Sequence, residues 1–166
     1  MNDWLRRAGR GRDGGGAVVT WSVAEGGRGR RWREIVAADG AVRSSLLLEL
    51  DSEGRFSHLE LSTEAGLLTL HPEGDGTLHG NAVTSEGVRH VMGWPWDRDR
   101  AIWVRGSSIC LAAGRRPDGT RAVEWLDIDR DLRVETVVRT MRPDWSLVDA
   151  EGLPVLEDGT TWPLEA

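Results

Sequence analysis

Four histidines, one cysteine and several acidic pairs are the groups in this 166-residue chain best suited to chemistry. His71 and His79 flank the turn EGDG, so a hairpin could set them face to face, and two opposed imidazoles with a carboxylate could hold zinc. Neither belongs to an HxH or HExxH spacing, and histidines on the polar face of a strand are ordinary, so no metal site is expected. Asp127, Asp129 and Asp131 imitate the opening of a calcium loop. The sixth position is Leu132 rather than Gly and the twelfth is Val138 rather than Glu, so the segment reads as a turn between strands. Asp97 and Asp99 alternate with Arg98 and Arg100 and read as another charged turn. Cys110 sits in the apolar run SSICLAA with no base beside it, which suits a small buried hydrophobe. Ser107 and Ser108 lack a GxSxG elbow, and GRGR and GDG have the wrong spacing for a phosphate loop or dinucleotide fingerprint. No catalytic residue, metal or cofactor is expected.

The remaining cluster is aromatic. HVMGWPWDRDRAIWVRG places Met92, Trp94, Trp96 and Trp103 within twelve residues, and Arg105 follows Trp103 by two, on the same face of a strand. Trp94 and Trp96 straddle Pro95, which marks a bend or an edge. An apolar aromatic wall with one arginine suits an amphiphile bearing an anionic or sugar-like head. The alternative is a Trp-rich corner of the core with Arg105 snorkelling outward.

These residues must be held by strands. Asp39-Gly40, Ser52-Glu53-Gly54, Asp75-Gly76, Ser85-Glu86-Gly87, Asp118-Gly119, Glu151-Gly152 and Asp158-Gly159 punctuate the chain with hairpin chemistry. Between them lie short runs with apolar residues at every second position. In 56–63, Leu59 and Leu61 oppose His58, Glu60 and Ser62; 121–128 and 132–140 alternate likewise. No segment carries a capped 3.6-residue pattern. A dozen short strands joined by tight turns predict an all-β fold, one antiparallel meander curled into a half-open β-roll or barrel to suppress its edges.

Composition agrees with a single domain. The chain has 21 arginines and no lysine, and nine tryptophans with no tyrosine and one phenylalanine, Phe56. Trp is favoured at binding surfaces, yet a domain without Tyr must also fill its core with something. Residues 1–33 hold eight arginines and three acids, net +5, while the rest is net -11. The opening GRGRDGGG predicts a flexible Arg/Gly-rich arm over 1–16, followed by one domain over 17–166 with a Pro-containing strap or hairpin at 143–166. The acidic body and the want of a nucleic-acid motif argue against nucleic acid as a partner. No apolar run reaches the length of a membrane span, and one cysteine excludes an internal disulfide framework, so a cytoplasmic location is expected.

In strand order the chain resembles a bacterial family named for glycolipid binding, long treated as a domain of unknown function. The likeness spans roughly 17–142: Trp21 in an early strand, LLLELDSEGRFSHLELS, the hairpin LLTLHPEGDGTLHG, and AVEWLDIDRDLRVETVVRTMR with Trp125. The segment WDRDRAIWVRGSSICL keeps only Asp97 and Asp99 of the family's pattern there. The resemblance implies a half-open roll with a hydrophobic concave face, similar to the LolA/LolB lipoprotein carriers. The leading expectation is therefore non-enzymatic binding of a hydrophobic or amphipathic small molecule in the concave face, a glycolipid being one candidate. Trp94, Trp96, Trp103, Arg105 and Trp125 are the expected ligand-binding residues. Two other classes stay open: an enzyme of cyclase or isomerase type using His58, His90 or Asp97 in that cavity, and a protein-interaction module presenting a sheet edge.

Overall fold

The computed structural model describes residues 5–12, 15–96, 101–105, 107, 110–112, 119, 121–141, 147–148 and 154–155. Eight strands follow one another as an antiparallel meander: β1 (Leu5–Arg12), β2 (Val18–Gly26), β3 (Gly29–Ala38), β4 (Ala41–Leu50), β5 (Phe56–Thr63), β6 (Gly66–Pro72), β7 (Thr77–Thr84) and β8 (Gly87–Pro95). A second sheet, in the order β10-β9-β11-β12, comes from β9 (Ala101–Val104), β10 (Cys110–Ala112), β11 (Arg121–Ile128) and β12 (Val134–Met141). β13 (Leu147–Val148) and β14 (Pro154–Val155) form a two-stranded ladder, within the strap expected at the C-terminal end. The fold is all-β and largely antiparallel. The long sheet is not closed, because β1 and β8 are its two edges.

Local chemistry explains the meander. At the β3–β4 turn Asp39 and Gly40 have φ of 54° and 77°, the two left-handed residues that a two-residue type I′ hairpin requires. The Asp51 carboxylate accepts the backbone amides of Glu53 and Arg55 and so closes the β4–β5 turn. The expected meander stops at β8, whose last residue, Pro95, lacks the N–H that a further partner strand would need. Beyond it β9 pairs with β10 antiparallel but with β11 in parallel, a crossover that the turn pattern alone does not announce.

Among the described residues, period-two alternation sends one face of the long sheet's central strands and of β9 inward. Leu59 lies opposite Leu70 and Leu61 opposite Leu68, and all four are 2% exposed or less. They share one apolar cluster with Leu46, Leu48 and Trp32 of the long sheet and with Ile102, Val104, Leu126 and Ile128 of the second sheet. The second sheet therefore fills the middle of the long sheet's concave face. Each such side chain contributes roughly 1.5–3 kcal/mol through burial. Leu132 anchors the connection between β11 and β12: it is fully buried in the left-handed region, φ 63°, and its carbonyl accepts from the Arg89 guanidinium at 2.7 Å. Thr63, the last residue of β5, likewise donates to the Arg130 carbonyl at 2.8 Å, tying the end of the long sheet to the connection between β11 and β12.

The flexible arm expected over 1–16 contains an ordered strand. Leu5–Arg12 pairs along its whole length with β2, and its inward positions include Gly9 and Gly11, opposite Trp21 and Val19. The Trp21 indole lies across Gly9 so closely that a Cβ there would sit 2.7 Å from it. The glycines that read as disorder instead make room for a tryptophan.

Candidate functional site

Two irregularities at one end of the long sheet shape an aromatic rim. A bulge between Glu49 and Leu50 sets Leu50 opposite Phe56, and a second between Leu78 and Gly80 sets Leu78 opposite Trp94. Gly93 adopts φ 73° within the second bulge, a conformation that glycine reaches without strain. Beyond it Trp96 is held by its backbone amide, which donates to the Gly76 carbonyl at 2.8 Å, and its ring tilts against Phe56 with centroids 5.2 Å apart. Phe56 and Leu78 are buried, Leu50 is half-exposed, and Trp94 and Trp96 are half-exposed and packed against the core. The same row continues across β3: Arg30 pairs opposite Leu50, and its guanidinium lies 5.7 Å from the centre of the Trp32 ring. One end of the concave face thus runs from a cation through Leu50 and Phe56 to two half-buried indoles.

At that end, around the β2–β3 hairpin, a cleft of about 420 Å³ is lined by Arg6, Arg28, Arg30, Arg31, Leu50 and Ser57, among others. Arg30 bonds Glu25 at 3.0 Å and Arg31 bonds Glu49. Arg6 and Arg28 have no carboxylate partner among the described residues.

The five expected ligand-binding residues do not gather into one wall. Trp94 and Trp96 pack on the core side of the long sheet. Trp103, Arg105 and Trp125 belong to the face of the second sheet opposite the core, since Ile102, Val104, Leu126 and Ile128 take the inward positions. Arg105 was expected to meet a ligand head. It instead forks onto Asp127, with Nε donating to Oδ1 at 2.7 Å and Nη2 to Oδ2 at 3.0 Å. That bond holds the guanidinium pKa above its ordinary value. The arginine side chain is half-exposed while the carboxylate is 1% exposed.

The histidines face the other way. His58, His71, His79 and His90 all alternate with inward residues and lie on the convex face, bonded to Glu60, Glu73, Thr77 and Asn81 at 2.7–3.0 Å. His71 and His79 are cross-strand neighbours, but among the described residues no three His, Cys, Asp or Glu side chains are grouped to hold a metal ion. His58 and His90 are therefore not in the concave face where an acid or base was sought. Asp97 and Asp99 lie outside the described residues, as does the Cys110 side chain.

Two carboxyl groups are buried among the described residues. Asp127, expected in a turn between strands, lies within β11. Glu34, not singled out in the sequence and 1% exposed, lies on the concave face opposite Trp21 and Leu46. The signal was present, because Glu34 shares its alternation with Trp32 and Val36. The Nε1–H groups of Trp21 and Trp125 are buried and find no acceptor. Among the described residues no helix is long and apolar enough to cross a membrane. No family model matches the chain, no curated protein matches it, and no solved structure matches it.

Proposed function

We propose that this protein binds an amphipathic small molecule at the β2–β3 hairpin end of its concave face, without catalysing a reaction. The observation that carries this reading is the continuous row Arg30, Leu50, Phe56 and Trp96, a guanidinium bonded to Glu25 followed by apolar side chains of which Leu50 and Trp96 are half-exposed. Arg28, which has no carboxylate partner among the described residues, holds an anionic head while Arg30 stays bonded to Glu25, and the apolar tail covers Leu50, Trp94 and Trp96 at about 25 cal/mol per Å² buried. The middle of the concave face, occupied by Ile102, Val104, Leu126 and Ile128, is not part of the site. A glycolipid with an acidic sugar is one ligand of this kind, as the resemblance in strand order suggests. The enzyme reading loses support, because His58 and His90 point to the convex side.

Native mass spectrometry and Trp fluorescence against a panel of single-chain amphiphiles test the proposal. A 1:1 adduct with an anionic-headed lipid and a blue shift that Trp94→Ala diminishes are expected. A panel giving neither adduct nor shift removes the proposal. The open edge at β1 favours a second reading, pairing with a partner strand; protection of β1 amides from exchange in a cell extract, beyond that of the purified protein, is its signature.

A further inference from the structure

On the convex side of β1–β3 the outward residues form a pattern that the amphiphile site does not use. Toward the hairpin end β2 presents small side chains there, Thr20, Ser22 and Ala24, with Val18 beyond them. Arg6 and Arg10 stand beside them on β1, and Arg31 and Arg33 on β3. All four arginines are exposed, and Arg6, Arg10 and Arg33 have no carboxylate partner among the described residues. The floor between the walls forms a shallow trough of about 390 Å³, lined by Arg6, Ser22, Ala24, Arg31 and Arg33 among others. It runs through Arg6 and Arg31 into the hairpin cleft that holds Arg28 and Arg30. The cations are thus concentrated on one edge of a chain whose residues 34–166 carry net -11.

We propose that this edge docks on a membrane surface rich in anionic lipid. The observations favour a lipid surface over a nucleic acid. An anionic bilayer attracts exposed basic groups nearly additively and needs no fixed pairing, whereas single-stranded nucleic acid is held by stacking as well as charge. The outward face of β1–β3 offers no aromatic ring, since Trp21 and Trp32 both point inward, but it does expose Ile35 at 44%. The charge asymmetry orients the molecule as well: the acidic body is repelled by the surface that attracts the edge. The hairpin cleft then faces the bilayer, which places the mouth of the proposed amphiphile site where a lipid could enter. That last consequence rests on the amphiphile reading; the docking itself does not.

Co-sedimentation of the full chain with vesicles tests the docking. Binding is expected to vesicles of phosphatidylcholine with 30% phosphatidylserine, to weaken steeply with salt, and to vanish with phosphatidylcholine alone. The triple variant Arg6→Gln, Arg10→Gln, Arg33→Gln is expected to partition about 100-fold less. The corresponding triple lysine variant keeps the charge and is expected to bind like the parent. Arg43→Gln, at the opposite end of the sheet, changes partitioning little. Circular dichroism of each variant controls for folding. Binding that ignores the anionic lipid, or survives the glutamine triple, overturns the proposal. So does loss of binding in the lysine triple, or tighter binding to a single-stranded oligonucleotide than to the anionic vesicles. Failure of the amphiphile reading would show as no adduct in solution and would leave vesicle binding intact.

Discussion

Clefts open at both ends of the long sheet, and both contain arginine in different electrostatic states. At the β3–β4 end, a cleft of about 560 Å³ lies between the two sheets, and its Arg43 is bonded to Glu64 and to Asp39. These carboxylates hold the Arg43 pKa above its usual value. At the β2–β3 end, Arg30 and Arg31 are bonded to Glu25 and Glu49, whereas Arg6 and Arg28 have no carboxylate partner among the described residues. Residue type is the same at both ends, so availability for a ligand is decided by which carboxylates the turns and registers bring alongside. An arginine near its own carboxylate staples the fold, while one left beside small residues or backbone retains its capacity for an outside anion.

Arg105 marks the extreme of the paired condition. Removing it takes the guanidinium away from the Asp127 carboxylate, which is 1% exposed, so Arg105→Ala is expected to cost about 2 kcal/mol, somewhat less than a fully buried pair because half of the arginine is in water. Urea denaturation measures this. Lipid and vesicle binding should be unchanged, and a loss of either would erase the distinction between stapled and free arginines. Gly9→Ala comes next. Its Cβ would meet the Trp21 indole at 2.7 Å, and the overpacking is expected to cost about 1–2 kcal/mol. Faster amide exchange confined to β1 would show that the basic edge depends on this fit.

The β4–β5 turn gives a smaller, pH-dependent effect. Burial pushes the Asp51 pKa up, but the backbone amide and guanidinium of Arg55 and the amide of Glu53 outweigh it and hold it below 3.8. A depressed carboxyl stabilises the fold above its unfolded value and stops doing so as pH falls through the folded value. Asp51→Asn should therefore be less stable than the parent near neutrality, with the difference fading below pH 3.8. The smallest expected effect is at the free end: Arg33→Gln should change stability by no more than about 0.5 kcal/mol.

Much of the fold was legible because alternation and turn chemistry are local. The runs 56–63 and 121–128 are β5 and β11 to the residue, and the hairpin facing of His71 and His79 follows from the EGDG turn. β1 was hidden because glycine raises the entropy of the free chain, and only a distant residue, Trp21, explains why glycine is needed there. The shared face of Trp103 and Arg105 was readable from their spacing. Which side of the second sheet that face would be was not, because it depends on the parallel register of β9 with β11 and on the packing of Ile102 and Leu126. The same register delivered Asp127 to Arg105. Sequence could name the arginine and the tryptophans as ligand chemistry, but long-range pairing had already committed some of them.

The most direct measurement is a titration of the uniformly ¹⁵N-labelled protein with dodecyl phosphate below its micelle concentration, followed through the indole and guanidinium N–H resonances. Saturable shifts at Trp94, Trp96 and Arg28, with Trp103, Trp125 and Arg105 unmoved, are the expected result. Shifts confined to Trp103 and Trp125, or no saturable shift at any tryptophan, would contradict it.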